Sequence, residues 1–596
     1  MNTEQPQVHR VERVDDIPVL LATLKEMKVA EIFDRHFPTG HRWKGELTFG
    51  EVACVWISYV ASAGDHRLCE LQPWAEQHRL TLEACLGKPV RGLDFQDDRL
   101  ADMLDHLALD KGSEHTVWQD CELELNQHHV RVYHLNPDFF RVDTTTANAY
   151  VAVLSELGYF QFGHSKDRDD QPQIKIAMAS LDPLGMPMTT FVVPGNSADD
   201  PLYVPEVKKV QQAFPQPGKT FVMDCKGAAL SIRVYLVSTN DFYLCPLPET
   251  IVSVEQRRAL LQPVWAGQQP LQQVYRPAAD GQSEELVAEG FFVDVRLTAE
   301  VNGKKVTWLE RRWLVRSLAY AFGQHKQLDR RLQKAQEELA RLNVRKQGKK
   351  RLTAKEMEEA AEQIIKKHRV EGMLSFQVKT STQTRKKRRY KDRPARVVKQ
   401  RQHRLEVSRC EEAIAGVKRE MGWRVYATNQ LTLNLAAVVW GYRGQNRLED
   451  NWSRLKGKPC GLTPMFLHDE RRILGLVLLL SLALRLLTVL EWKVRKKLQE
   501  SGQTLKGLYS GQAGRQAKRP SAELLLRAFK GLNLTIVEAA GQRLTHVTPL
   551  TNLQQTLLAL WGLPPDLYQR LTLQIPESTP ELPLCLPLQF TEPPPI

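Results

Sequence analysis

The chain has few of the features that would place it in a membrane or outside a cell. Its nine cysteines are scattered among 596 residues, with no Cys-x-x-Cys pair and no histidines at zinc spacing. That excludes a dense disulfide framework and a zinc finger, and fits free thiols in a reducing compartment. Long hydrophobic runs are missing too. The longest, Ile473 to Leu484, is twelve residues and is closed by Arg485. A membrane span needs about 20 apolar residues, so this run reads as a buried helix and no membrane association is expected. The N-terminus, Met1-Asn2-Thr3-Glu4-Gln5-Pro6, carries no apolar core of a secretory signal. Acid is in deficit. Asp and Glu total 69 against 82 Lys and Arg, which gives a net charge of +13 and a pI near 9.2. A surplus of base favours a polyanionic partner. Apolar residues make up 42% of the chain, enough for a globular protein, and its length calls for more than one core.

The chemistry-bearing residues fall in three stretches. Tyr442 to Lys456 reads as a single helix. Tyr442, Gln445, Glu449 and Lys456 fall on one face of it, and Arg443, Arg447 and Arg454 add base on the other side. Charged helix faces are ordinarily solvated, so two upstream stretches give this one its meaning. Phe139-Phe140-Arg141-Val142-Asp143 and Thr220-Phe221-Val222-Met223-Asp224 are apolar runs that end in aspartate. Both read as short buried strands with the carboxylate at or near the exit. Two strand aspartates and a helical glutamate form a hard-oxygen donor set suited to magnesium.

Taken together, the three stretches resemble the DDE transposases of bacterial insertion sequences. The subgroup is the one with a tyrosine, arginine, glutamate, lysine signature around its last acid and a strand-rich insertion before it. Asp143, Asp224 and Glu449 match the catalytic triad, and Tyr442 and Lys456 match the ends of the signature. The signature's arginine falls on Gln445, a departure. The resemblance implies an α/β fold: a ribonuclease H-like catalytic core interrupted by a large α+β insertion, with helical N-terminal and C-terminal regions. It implies Mg2+ as a pair of ions held by the three acids, with Mn2+ able to substitute. Tyr442, Gln445, Arg454 and Lys456 then become DNA contacts. The implied partner is double-stranded DNA, both terminal inverted repeats and target, bound by a homodimer. The implied setting is cytoplasmic and nucleoid-associated, and the activity is cleavage at the element ends followed by joining of the 3′-hydroxyls to target DNA.

Residues 1–130 read as helices of the kind that build a DNA-binding domain, with a plain scaffold as the alternative. Gly64-Asp65-His66-Arg67-Leu68 resembles the family's N-terminal region. Residues 131–246 read as the first part of the core, with strands expected at 139–145, 173–181, 186–193, 220–224 and 241–245. Asp182-Pro183-Leu184-Gly185 should turn the second strand into the third. In a ribonuclease H-like order the first and fourth strands adjoin, so Asp143 would meet Asp224. Lys166, in the stretch before the second strand, is a phosphate-contact candidate or part of a solvated loop.

Residues 247–425 read as an inserted domain. Asn302-Gly303 signals a hairpin with Trp308 and Trp313 on its second arm. By resemblance these rings are candidates to stack on a flipped base; core packing is the alternative. Leu328 to Leu342 carries about two heptads of helical spacing. Eleven Lys or Arg crowd residues 385–404, opening with Arg385, Lys386, Lys387, Arg388 and Arg389. Such a run repels itself unless phosphates neutralise it, so it is read as a DNA-backbone contact, with a solvated loop as the alternative. Residues 426–500 return to the core with the Glu449 helix and an apolar helix at 472–490. Residues 501–572 read as further helices after a linker, and the proline-rich 573–596 as disordered.

Two other classes fit the residues. A ribonuclease H-like nuclease without strand transfer would share the triad. A domesticated, non-catalytic DNA-binding protein would have lost an acid, and all three acids are present.

Overall fold

The structure is a computed structural model. It describes residues 7–573 apart from 40–42, 44, 110–115, 152, 154–157, 164–167, 169, 277–283, 302, 345–351, 389–393, 395, 466 and 540–541. The strands in chain order begin with β1 (Gln7–Arg13), β2 (Phe139–Asn148), β3 (Gln173–Leu181), β4 (Met186–Pro194) and β5 (Thr220–Met223). There follow β6 (Phe242–Pro246), β7 (Gln272–Arg276), β8 (Glu285–Val301), β9 (Lys304–Ser317), β10 (Leu374–Lys387), β11 (Arg396–Arg409) and β12 (Trp423–Thr428). The last two are β13 (Asn533–Ala539) and β14 (Gln542–Val547). The described residues divide into two compact units. Those within Met1–Lys226, Thr239–Asp241 and Gly444–Ile596 make the first; those within Gly227–Ser238 and Phe242–Arg443 make the second.

The first unit is built on a mixed sheet in the order β4-β3-β2-β5. β2 pairs antiparallel with β3, Asp143 opposite Met178, and parallel with β5, Val142 beside Met223. β3 is buried at every position, so it needs no alternation; the run Ile174 to Leu181 is covered on both faces. The β3–β4 turn falls on Asp182–Gly185 as the turn residues predict, and Gly185 takes φ +75°, where a side chain is strained.

Behind this sheet runs the Glu470–Ser501 helix. Asp469 caps it by accepting from the Arg471 and Arg472 amides, and Gly502 ends it at φ +65°. It contains the helix expected at 472–490 and runs on to Ser501, and by length and composition alone it would cross a membrane. Yet 94% of its most apolar window is buried within the protein. It packs on β4 and on the Phe49–Ala63 and Asp97–Leu107 helices. Each leucine buried there contributes about 1.5–3 kcal/mol. Arg485, in the middle of this helix, is fully buried. It donates to Asn126 Oδ1 (2.8 Å), Glu122 Oε1 (3.0 Å) and the Met188 carbonyl (2.7 Å).

Two expectations fail here. Residues 1–130 are not purely helical, and 521–572 are not all helix. β1 pairs antiparallel with β13, Val11 opposite Thr535, and β13 pairs with β14. The Leu534 and Ile536 side chains are buried, and their alternation is a strand period. Residues 574–596, read as disordered from sequence, lie outside the described residues.

The second unit carries strands in the order β6-β12-β9-β8-β7. The β8–β9 hairpin forms as expected; Gly303 has φ +73°, while Asn302 lies outside the described residues. The Leu328, Leu332, Ala335 and Leu339 stripe of the Leu318–Leu342 helix packs on Met357, Ala361 and Ile365 of the Ala354–His368 helix. The basic run lies on paired strands that its composition did not announce: residues 374–387 and 396–409 form β10 and β11, in register from Leu374 opposite Arg409 to Lys387 opposite Arg396, while 389–393 and 395 lie outside the described residues.

Candidate active site

Asp143 and Asp224 meet by strand pairing. Val142 of β2 and Met223 of β5 are register partners in parallel strands, so the next residue of each lies beside the other; Asp224 follows the end of β5, whereas Asp143 is inside β2, which runs on to Asn148 instead of ending near the carboxylate as expected. Adjacent strands lie about 4.8 Å apart, which brings two half-buried carboxylates together from residues 81 apart in sequence. Each is held by an aromatic donor. The Tyr203 hydroxyl, on the Asp200–Ala213 helix, donates to Asp224 Oδ1 at 2.5 Å, and Trp452 Nε1 donates to Asp143 Oδ2 at 3.1 Å. The amide of Lys226 also donates to Asp224 Oδ1, at 2.8 Å. Burial raises the Tyr203 hydroxyl well above its ordinary pKa, and the charges of Asp224, Asp143 and Asp199 add to this. Tyr203 therefore stays protonated as a donor. Asp199 accepts from Thr144 Oγ1 (3.0 Å) and pairs with Lys175 Nζ (2.8 Å).

The expected single helix over 442–456 is broken. One helix ends at Arg443 and the next, Asn446–Lys456, starts after Gly444 and Gln445. At the break, a Cβ on Gly444 would sit 2.2 Å from Arg141 Nη2, so glycine makes room for that guanidinium. Arg141 is buried and grips Asp182 with Nε (2.9 Å) and Nη2 (2.5 Å); Arg447 Nη1 reaches the same carboxylate at 2.9 Å. Asn451 Nδ2 donates to the Gly185 carbonyl at 2.7 Å. The Asn446–Lys456 helix is thus fastened to the β3–β4 turn by Arg447 and Asn451 and to β2 by Trp452.

Glu449 is exposed, one turn before Trp452 on this helix, and Lys456 is half-buried one turn after it. Those two share a flank as expected. Tyr442 does not continue it: it belongs to the preceding helix, where its ring packs on Tyr426 with centroids 4.9 Å apart. Gln445 precedes the first turn, and both polar atoms of its amide are shielded from solvent with no hydrogen-bond partner.

Arg454, expected on DNA, is committed elsewhere. Nε donates to Glu523 Oε1 at 2.7 Å and Nη2 to Glu491 Oε2 at 2.5 Å, which ties this helix to two others. Trp308 and Trp313, the stacking candidates, are both buried in β9. Trp308 Nε1 donates to Tyr243 Oη at 3.0 Å, and Trp313 packs on Phe292 with centroids 4.9 Å apart. Neither offers a ring face to a base. Lys386 and Arg388 are exposed; Lys166 and Arg389 lie outside the described residues.

As chemistry, Asp143 and Asp224 are hard-oxygen donors side by side, and they fit a divalent cation. The third acid does not complete the set in this conformation: among the described residues no three His, Cys, Asp or Glu side chains converge as a metal site. Tyr203 and Trp452 were missed from sequence. Trp452 lies three residues after Glu449, a spacing that marks a shared helix side; nothing local marks Tyr203.

No family model and no curated protein matches this sequence. Among solved structures, the chain resembles one described as the cryo-EM structure of piggyBac transposase synaptic complex with hairpin DNA. The alignment covers 97% of this chain and 89% of that chain, at 8% identity and a TM-score of 0.32. A likeness that distant carries no argument about function.

Proposed function

We propose that the chain is a DNA transposase of the DDE type, with a ribonuclease H-like core and Asp143, Asp224 and Glu449 as its acids. The observation that carries this reading is the parallel register of β2 and β5, which sets Asp143 beside Asp224. The helix bearing Glu449 is joined to Asp143 through Trp452, and the net charge of +13 suits a DNA partner.

In this reading Asp143 and Asp224 hold Mg2+, or Mn2+ in its place, with Glu449 completing the set when DNA is bound. Bound divalent ions would activate the attacking oxygen and neutralise the leaving one at the scissile phosphate. The chain's own residues do the rest. Tyr203 and Trp452 fix the two carboxylates, and Lys456 supplies positive charge on the flank of Glu449. The substrate is double-stranded DNA: the terminal inverted repeats of an element, cut to free 3′-hydroxyls that are then joined to target DNA. A homodimer holding the paired ends in a bacterial cytoplasm completes the proposal.

The test uses duplexes carrying the DNA that flanks the gene, incubated with full-length protein, Mg2+ and a target plasmid. Nicks at the element ends with free 3′-hydroxyls, followed by joined product, are expected. Nicking without joining would reduce the reading to a nuclease, and no cleavage with either Mg2+ or Mn2+ would overturn it.

A further inference from the structure

We propose that the β10–β11 ribbon is an arm that enters the major groove of double-stranded DNA. This rests on the reading above for DNA as the partner, and goes beyond a contact of base with phosphate.

The ribbon starts in a core. Leu374 and Leu405 are buried against the Leu318–Leu342 and Ala354–His368 helices, and Phe376, Val378 and Val407 are partly buried there. Past Val378 and Leu405 the apolar pattern stops. Among the described residues of 379–388 and 397–404, none is buried, so the paired strands run on without a hydrophobic face. From Lys379 opposite Arg404 to Lys387 opposite Arg396 they stay in unbroken register. At about 3.4 Å per residue this free part is about 27 Å long. A hydrophobic face would explain such a ribbon by packing; here charge replaces it. Residues 379–387 and 396–404 hold eight Lys or Arg and no Asp or Glu. Lys379 is paired with Glu406 at 2.6 Å, at the base of the arm. Charged residues also guard exposed strands against aggregation, but such guarding does not require one sign alone.

The faces differ. Residues directly opposite in an antiparallel pair share a face. One face therefore carries Lys379, Ser381, Gln383, Gln402 and Arg404; the other carries Thr380, Thr382, Thr384, Lys399, Arg401 and His403. On the first face Gln402 Nε2 donates to Gln383 Oε1 at 2.7 Å, and both side chains have further donor and acceptor capacity. The major groove, about 12 Å wide, admits a two-stranded ribbon, and amides read base edges there. Arg404 on that face, and the long side chains of Lys399 and Arg401 reaching round from the other, would meet the phosphates that line the groove.

The experiment measures binding of full-length protein to labelled duplexes in EDTA, so that nothing is cut, over a range of salt. Combining Lys386→Gln, Lys399→Gln, Arg401→Gln and Arg404→Gln should flatten the slope of log affinity against log salt by up to about 0.9 per charge removed. Duplexes methylated at guanine N7, in the major groove, should bind more weakly than unmethylated ones. The Gln383→Ala, Gln402→Ala double variant should lose part of that discrimination. An unchanged slope in the four-fold variant, with unchanged circular dichroism, or equal affinity for methylated and unmethylated duplexes, would overturn the groove-binding arm. If the wild-type protein binds no DNA at all, the transposase reading falls with it; if it binds and the ribbon variants behave as wild type, only the arm is lost.

Discussion

Trp452, in the Asn446–Lys456 helix, donates its indole N–H to Asp143 of β2 at 3.1 Å, across 309 residues of chain. That bond joins the helix that carries Glu449 to the strand that carries the first aspartate. Its counterpart is the 2.5 Å bond from Tyr203 to Asp224. The two acids that adjoin through the sheet are therefore each oriented by a donor from a different helix.

Asp143→Ala, Asp224→Ala and Glu449→Ala are each expected to abolish DNA cleavage while leaving DNA affinity nearly intact. The acids serve the metal, whereas affinity comes mostly from phosphate contacts. Cleavage and anisotropy assays on the same preparations check this; affinity falling in step with cleavage, at normal folding, would count against the assignment.

Tyr203→Phe removes a buried donor from a carboxylate. Hydrogen bonds to charged groups contribute about 1.5–3 kcal/mol, so urea unfolding should show a loss at the low end of that range. Cleavage should also require more Mg2+, because Asp224 then loses the hydroxyl that helps to orient it. A variant with the wild-type metal requirement would leave Tyr203 a packing residue only.

Arg454→Ala is expected to cost about 2 kcal/mol of stability, less than the loss on breaking a fully buried pair, since Glu523 is partly exposed. The salt dependence of DNA binding should not change, because Glu491 and Glu523 already occupy this guanidinium. A flatter salt slope in this variant would return Arg454 to the DNA-contacting set.

Glu122 gives a pH dependence with a definite sign. Burial pushes its carboxyl up to about 8, against the opposing pull of Arg485. Between its unfolded value of 4.5 and about 8 the folded chain holds more protons than the unfolded one. Stability from this group is therefore full below that window and falls as pH rises through it. Thermal melts across the window should show a falling component in the wild type. Glu122→Gln, whose carbonyl can still accept from Arg485, should lack it.

Much of this was legible in the sequence, and the reason is local. Residues 139–145, 173–181, 186–193 and 220–224 read as strands because their apolar runs are continuous and bounded by turn residues. The Asp182–Gly185 turn and the Gly303 hairpin declare themselves through residues that tolerate special backbone angles. The helix after Glu449, the candidate acids and the basic surplus could be read in the same way.

What escaped the sequence depends on partners far away in the chain. Gly444, where the helix breaks, gives space to Arg141, some three hundred residues earlier, whose guanidinium lies where a Cβ would be. β13 pairs with β1 across more than five hundred residues. Arg454 looked available for phosphate until the fold brought Glu491 and Glu523 to it. Trp308 and Trp313 were candidate stacking rings until β9 turned them inward. Composition and periodicity thus determined the core strands β2 to β5 and the apolar helix behind them, but not β1, β10, β11, β13 or β14, and they showed which residues can do acid and base chemistry. Tertiary structure alone decided which charges are already neutralised and which aromatic rings are buried, because steric exclusion and ion pairing act between neighbours in space whatever their separation along the chain.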